Sequence, residues 1–236
     1  MNIIDLFSQN KLIQTWHRGV SNLGRQLIMG LSGASKALAI ASAYQANEEK
    51  IVVLTSTQNE VEKLASDLSG LIGEDKVYTF FADDVAAAEF IFASMDKAHS
   101  RLEALNFLQD TTQTGILITS LVGARVLLPN PKAYAESQLK FVVGEDYNLD
   151  KVVKVLSNVG YQKVSQVLNP GEFSRRGDIV DIYEVTADYP YRLEFFGDEV
   201  DRIREFDAET QKSLSNVDQV TIYPADELIL SEEDFT

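Results

Sequence analysis

The stretch Gly30-Leu31-Ser32-Gly33-Ala34-Ser35-Lys36-Ala37 has residue types and spacing that come near to phosphate chemistry. A working phosphate-binding loop reads G-x-x-x-x-G-K-[S/T]. Its second glycine lets backbone N–H groups approach the phosphates, its lysine reaches a phosphate oxygen, and its hydroxyl ligates Mg2+. Here Ser35 and Ala37 take the places of the second glycine and the hydroxyl residue, while Lys36 remains. Ala37 has no oxygen to hold the metal that neutralises charge developing in phosphoryl transfer. The loop keeps the frame of a nucleotide site, with Gly30, Gly33, Ser35, Lys36 and Ala37 as its degenerate residues. No catalytic residue, metal or cofactor is expected of it.

Such a loop belongs at a strand-to-helix turn, and the flanking residues fit that place. The apolar run Gln26 to Met29 precedes it as an expected strand, and the alanine-rich stretch Leu38 to Ala46 follows as an expected helix. Ile51 to Thr55 is a continuous apolar run, the pattern of a strand buried on both faces of a parallel sheet. After it, Thr57 to Glu60 fits a capping box, with Val61, Leu64, Leu68 and Leu71 recurring on one helical face before Gly73. A further helical pattern covers about Val85 to Leu108, and Gly115 to Ser120 reads as the next buried strand. Asp83 and Asp84 end an apolar strand as metal-binding acids do opposite a phosphate loop. They immediately precede a helix, however, and are read as capping its free N–H groups. Repeated βα units of this kind define an α/β domain built on a parallel sheet.

Composition bounds the function classes. With 236 residues, 45% of them hydrophobic and 24% charged, the chain buries one substantial core, or a large and a small one. It has no cysteine, which excludes disulfides and thiolate metal sites. His17 and His99 are far apart in sequence and are read as ordinary side chains. There is no run of about 18 apolar residues and no signal-like start, so a cytoplasmic protein without membrane contact is expected. The net charge of −15 repels a phosphate backbone and favours a protein partner over nucleic acid.

The pattern changes after Leu128-Pro129-Asn130-Pro131, where closely spaced prolines disfavour helix and mark an expected domain boundary. Beyond it, Leu149 to Asn158 forms one amphipathic helix on Val152, Val153, Val155 and Leu156, stopped by Gly160. Asp178 to Tyr183, Tyr191 to Phe196 and Val200 to Phe206 read as strands of a small α+β domain. The acidic end from Ser231 leaves an element unfinished and reads as the start of a further segment. Gly171-Glu172-Phe173-Ser174-Arg175-Arg176-Gly177-Asp178 places two adjacent arginines beside an aromatic residue on an acidic chain. Planar guanidiniums suit the carboxylates of a partner, and arginine and aromatic residues are enriched at binding hot spots. The alternative is a hairpin whose arginines pair internally with Asp178, Asp181 or Glu194.

The run from Phe173 to Tyr183, followed by Tyr191 to Ile203, resembles the F-R-V-R-G-D-(V/I)-(I/V)-D-I-(Y/F) and R-(I/L)-E-F-F-G-D-E-(I/V)-(D/E)-x-I signature. This is shared by the excinuclease subunit UvrB and the transcription-repair coupling factors. UvrB has an intact phosphate loop and a Tyr-rich insertion that this chain lacks between about Ala82 and Gly115. The resemblance therefore favours the coupling factors, over Gly30 to Ala225, and specifically their amino-terminal UvrB-like region.

That resemblance implies a degenerate P-loop NTPase-like domain over residues 1–128 and a UvrA-binding domain over 129–224, with 225–236 beginning a following segment. It implies a noncatalytic adaptor that recruits the damage sensor UvrA to stalled RNA polymerase in transcription-coupled nucleotide excision repair. RNA polymerase and DNA would be engaged only by parts of the full-length protein beyond this chain, a translocase motor among them. Arg176 matches the arginine placed before Gly-Asp at the UvrA interface. Phe173 and Arg175 flank it as expected contacts, Gly177 serves the bend, and Asp178 orients Arg176. Ser174 stands where UvrB has an arginine. A residual ATP-binding or DNA-binding UvrB-like module is the alternative.

Overall fold

The computed structural model describes residues 2–22, 24–82 and 91–227, the side chains of 91–97 excepted. The chain divides into two compact units, Met1–Val126 and Leu127–Thr236. Asp83, Asp84, the first part of the expected helix from Val85 and the acidic end from Ser231 lie outside the described residues.

The first unit runs α1 (Ile3–Ser8), α2 (Lys11–Ser21), α3 (Ser35–Asn47), β1 (Ile51–Thr55), α4 (Gln58–Ile72), β2 (Val77–Phe80), α5 (Ile91–Gln109) and β3 (Ile116–Ser120). Its strands pair in parallel in the order β1-β3-β2, with Ile116 of the central strand opposite both Ile51 and Val77. All five residues of β3 are buried, as the apolar run predicts for a central strand. Ile116 and Ile118 pack on one face against Ala37, Ala41 and Tyr44 of α3 and Val61 and Leu68 of α4. Leu117 and Phe80 pack on the other against Ala104 and Phe107 of α5.

Two expectations are corrected. Strand β1, at the edge of the sheet among the described residues, is half-buried on one face and exposed on the other, where Val52 and Leu54 are each 55% exposed. Gln26 to Met29 form no strand, and Leu27 and Met29 are 84% and 82% exposed. Three apolar residues, Leu27, Ile28 and Met29, carry too little pattern to distinguish a strand from an extended connector.

The second unit contains α6 (Pro131–Glu136), β4 (Leu139–Val142), α7 (Leu149–Asn158), β5 (Gln162–Lys163), β6 (Glu172–Arg176), β7 (Ile179–Ile182), β8 (Tyr191–Phe196), β9 (Glu199–Phe206), β10 (Ser213–Val217) and β11 (Gln219–Ile222). Pro131 starts a helix rather than preventing one. Asn130 caps it by accepting from the Lys132 amide at 2.9 Å, and proline at the first helical position forfeits only an N–H that had no partner. Strands β5 to β10 form one sheet in the order β10-β9-β8-β7-β6-β5, antiparallel except for the β5–β6 pair, and β4 pairs with β11. Helix α7 is capped by Asn148 and lays Val152 and Leu156 on the core face of the large sheet, against Phe173, Val180, Ile182, Leu193 and Ile203.

Candidate functional site

Strand parity decides which side chains of the second unit can meet a partner. Successive residues of a strand face opposite sides of its sheet. The register aligns Phe173 with Ile182, and Arg175 with Val180, Leu193 and Ile203, all on the face that carries the core. The intervening rows face the other way. One runs Ser174, Asp181, Arg192, Arg204, and the next runs Arg176, Ile179, Glu194, Arg202. By the same parity Phe196 follows Glu194 at the end of that outer face.

This separates residues that the signature sets side by side. Phe173 is fully buried and is a core residue, not a surface contact. Arg175 turns to the α7 side, where its guanidinium reaches Asp150 at 2.5 Å and Nε donates to the Gly177 carbonyl at 3.3 Å. Arg176 alone of the pair lies on the outer face, with its side chain 54% exposed. Both arginines sit in β6 itself, because the hairpin turn needs only Gly177 and Asp178, with Gly177 at φ 63°. Asp178 does not orient Arg176. That part falls to Asp181, whose Oδ2 accepts from Arg176 Nη2 at 2.7 Å.

Asp181 is 1% exposed and holds a second guanidinium, accepting from Arg192 Nε at 2.7 Å and Nη2 at 2.9 Å. Arg192 also lies 4.4 Å above the ring of Phe206 and donates to Gln211 Oε1. Its hydrogen bond to Asp181 raises its already high pKa, which keeps the charge fixed at any physiological pH. Glu194 pairs with Arg204 and, at 4.0 Å, with Arg202. Arg176, Arg192, Arg202 and Arg204 thus pair with Asp181 and Glu194 across the middle of this face, while Glu199, opposite Phe196, adds a further carboxylate at its end.

Two further features mark the face. Phe196 is 85% exposed, so its ring lies in water. Ser174 Oγ and Arg204 Nε are buried without a hydrogen-bond partner, and a native protein leaves few such groups. The sequence reading named Asp181 as an internal partner for the arginines, which it is for Arg176, but missed Phe196 and Arg192. Parity counted from the apolar Leu193 and Phe195 would have placed Arg192, Glu194 and Phe196 together on the opposite face.

The residues of the degenerate loop lie in the first unit. Gly30 and Gly33 have φ of 84° and 54°. Ala37 is 1% exposed and packs with Ala41 and Tyr44, so its Cβ faces the core, while Lys36 is exposed. A cleft of about 550 Å3 runs beside the loop, its lining including Trp16, Leu31, Lys36, Ser56, Glu60 and Lys63. Among the described residues no helix is long and apolar enough to cross a membrane.

A domain class is defined by this sheet with its charged outer face: residues 139–228 match the UvrB interaction domain family. The similarity extends well beyond that domain. Over 223 residues the chain is 31% identical to the transcription-repair-coupling factor of Bacillus subtilis (strain 168), covering 94% of this chain and 19% of that protein. Over 207 residues it is 33% identical to the transcription-repair-coupling factors of Staphylococcus aureus (strain bovine RF122 / ET3-1) and Staphylococcus haemolyticus (strain JCSC1435), covering 88% of this chain and 18% of each relative. The chain belongs to the transcription-repair-coupling factor family, and it spans about a fifth of the length of the curated relatives it matches.

Proposed function

We propose that this region is a noncatalytic adaptor whose second unit docks the damage sensor UvrA on the outer face of the β6–β9 sheet. Within the longer protein it would bring UvrA to stalled RNA polymerase. The observation that carries the reading is the state of Arg176: held at 2.7 Å by a buried carboxylate, yet 54% exposed. A guanidinium already fixed on a strand loses little conformational freedom on binding, so more of its interaction energy appears as affinity. The exposed part of the guanidinium suits a carboxylate on the partner, and Phe196 adds an aromatic anchor on the same face.

The first unit fits a supporting part. The position that would ligate a metal is filled by Ala37, packed into the core, which favours the noncatalytic reading of a loop with P-loop ancestry.

Calorimetric titration of the chain with UvrA tests the proposal. Saturable binding is expected, and its absence with a folded chain would contradict it.

A further inference from the structure

In a phosphate loop, successive backbone N–H groups converge on the anion and the lysine supplies the charge. Here three loop amides are spent inside the chain, and the lysine shares its cleft with a carboxylate. The Ser32 amide donates to Ser35 Oγ at 2.8 Å, and that hydroxyl donates back to the Ser32 carbonyl at 2.7 Å. The Ser35 and Lys36 amides turn to the carbonyls of Ser32 and Gly33, at 3.2 and 3.4 Å. Ser35, the residue that replaces the second glycine, is what closes the turn.

A carboxylate of the next helix shares the cleft with the lysine. Thr57 Oγ1 caps α4 by accepting from the Glu60 amide at 3.3 Å. The Glu60 carboxylate bonds chiefly beyond Thr57. It reaches one residue further, accepting from Ser56 N at 3.1 Å and Ser56 Oγ at 2.6 Å. Those bonds fix it on the wall of the cleft that Lys36 also lines. The bonds from Ser56, and beyond them the positive charge of Lys36, hold the Glu60 carboxyl below the usual carboxylate range, so it is ionised at neutral pH.

We propose that Ser35 and Glu60 stand in for a phosphate, Ser35 Oγ as the acceptor for the Ser32 amide and Glu60 as a fixed negative charge on the cleft wall that Lys36 shares. The cleft is thereby closed to phosphoanions by two side chains of the protein itself. The inference rests on the phosphate-loop reading of Gly30 to Ala37 and is independent of where UvrA docks. Restoring glycine at 35 frees the Ser32 amide, and removing the charge at 60 takes the carboxylate from the cleft wall that Lys36 shares, so the two changes together reopen the site.

Trp16 lines this cleft and is the one tryptophan of the chain, so its fluorescence reports occupancy. Inorganic tripolyphosphate is titrated into the 236-residue chain and into its Ser35→Gly/Glu60→Gln variant, each checked for folding by circular dichroism. No saturable change is expected for the unaltered chain. A saturable change is expected for the variant, with affinity at least roughly tenfold above any residual signal, and adding Lys36→Ala should abolish it. Should the double variant fail to fold, Glu60→Gln alone decides, with a smaller gain expected. Saturable binding by the unaltered chain, no gain on substitution, or a gain that survives Lys36→Ala would each overturn the proposal. Failure of UvrA docking is read in its own titration and does not affect this outcome.

Discussion

Arg176 Nη2 lies 2.7 Å from Asp181 Oδ2, on the same face of the β6–β7 pair but one row apart. The diagonal contact lets an exposed cation rest on a buried anion that Arg192 also grips. Asp181 therefore has two tasks, balancing Arg192 within the sheet and aiming Arg176 away from it.

Replacing Asp181 with asparagine removes the counter-charge and leaves Arg192, only 15% exposed, without its partner. Breaking a buried pair on one side costs about 3–5 kcal/mol. Urea unfolding of Asp181→Asn is expected to show a loss in that range. A loss below about 1 kcal/mol would mean that the network does not hold the sheet together.

Phe196 is the converse case. Its ring is 85% exposed and contributes little to the folded state. Phe196→Ala should leave stability within about 0.5 kcal/mol while weakening UvrA binding by about 2 kcal/mol. Unchanged calorimetric affinity in this variant would remove Phe196 from the docking face.

Phe173 is fully buried in the cluster that α7 covers. Phe173→Ala is expected to destabilise the chain by about 3–5 kcal/mol through the lost contacts and the cavity left behind. Thermal melting measures this directly. A variant as stable as the parent would contradict the core placement.

These contrasts show where the sequence was legible. Helix α7 and strands β7 to β9 were readable because apolar residues recur at their proper periods, and Gly177-Asp178 marked a hairpin. The face of each arginine was not read, because adjacency in a motif suggests a shared surface whereas strand geometry sends neighbours to opposite sides. Pro131 was misread because a helix-breaking residue in an interior is a good one at a start. Gln26 to Met29 was misread because an apolar run says nothing of whether another strand lies beside it. The loop from Gly30 was recognisable by spacing, but the closure by Ser35 and Glu60 needed coordinates, since α4 supplies half of it.

Burial also sets an alkaline limit. Tyr134 and Tyr161 are 1% and 3% exposed, and burial first, then the negative charge of Glu184, pushes both phenols up. A group whose pKa is raised on folding contributes stability that is complete below its unfolded value, about 10 for tyrosine, and lost as pH rises towards the folded one. Tyrosinate absorbance should therefore show these two phenols ionising together with unfolding, above the pH at which a free tyrosine ionises. All nine titrating as one class near pH 10 in a still-folded chain would contradict the burial.

Arg175 and Arg176 are adjacent in sequence and opposite in space, so they provide the most direct test of the docking face. Calorimetric titration of UvrA into the unaltered chain, Arg176→Ala and Arg175→Ala should show affinity reduced roughly 30-fold or more by the first substitution and little changed by the second. A large loss with Arg175→Ala, together with an unaffected Arg176→Ala, would place the partner on the other side of the sheet and contradict the outer face as the UvrA surface.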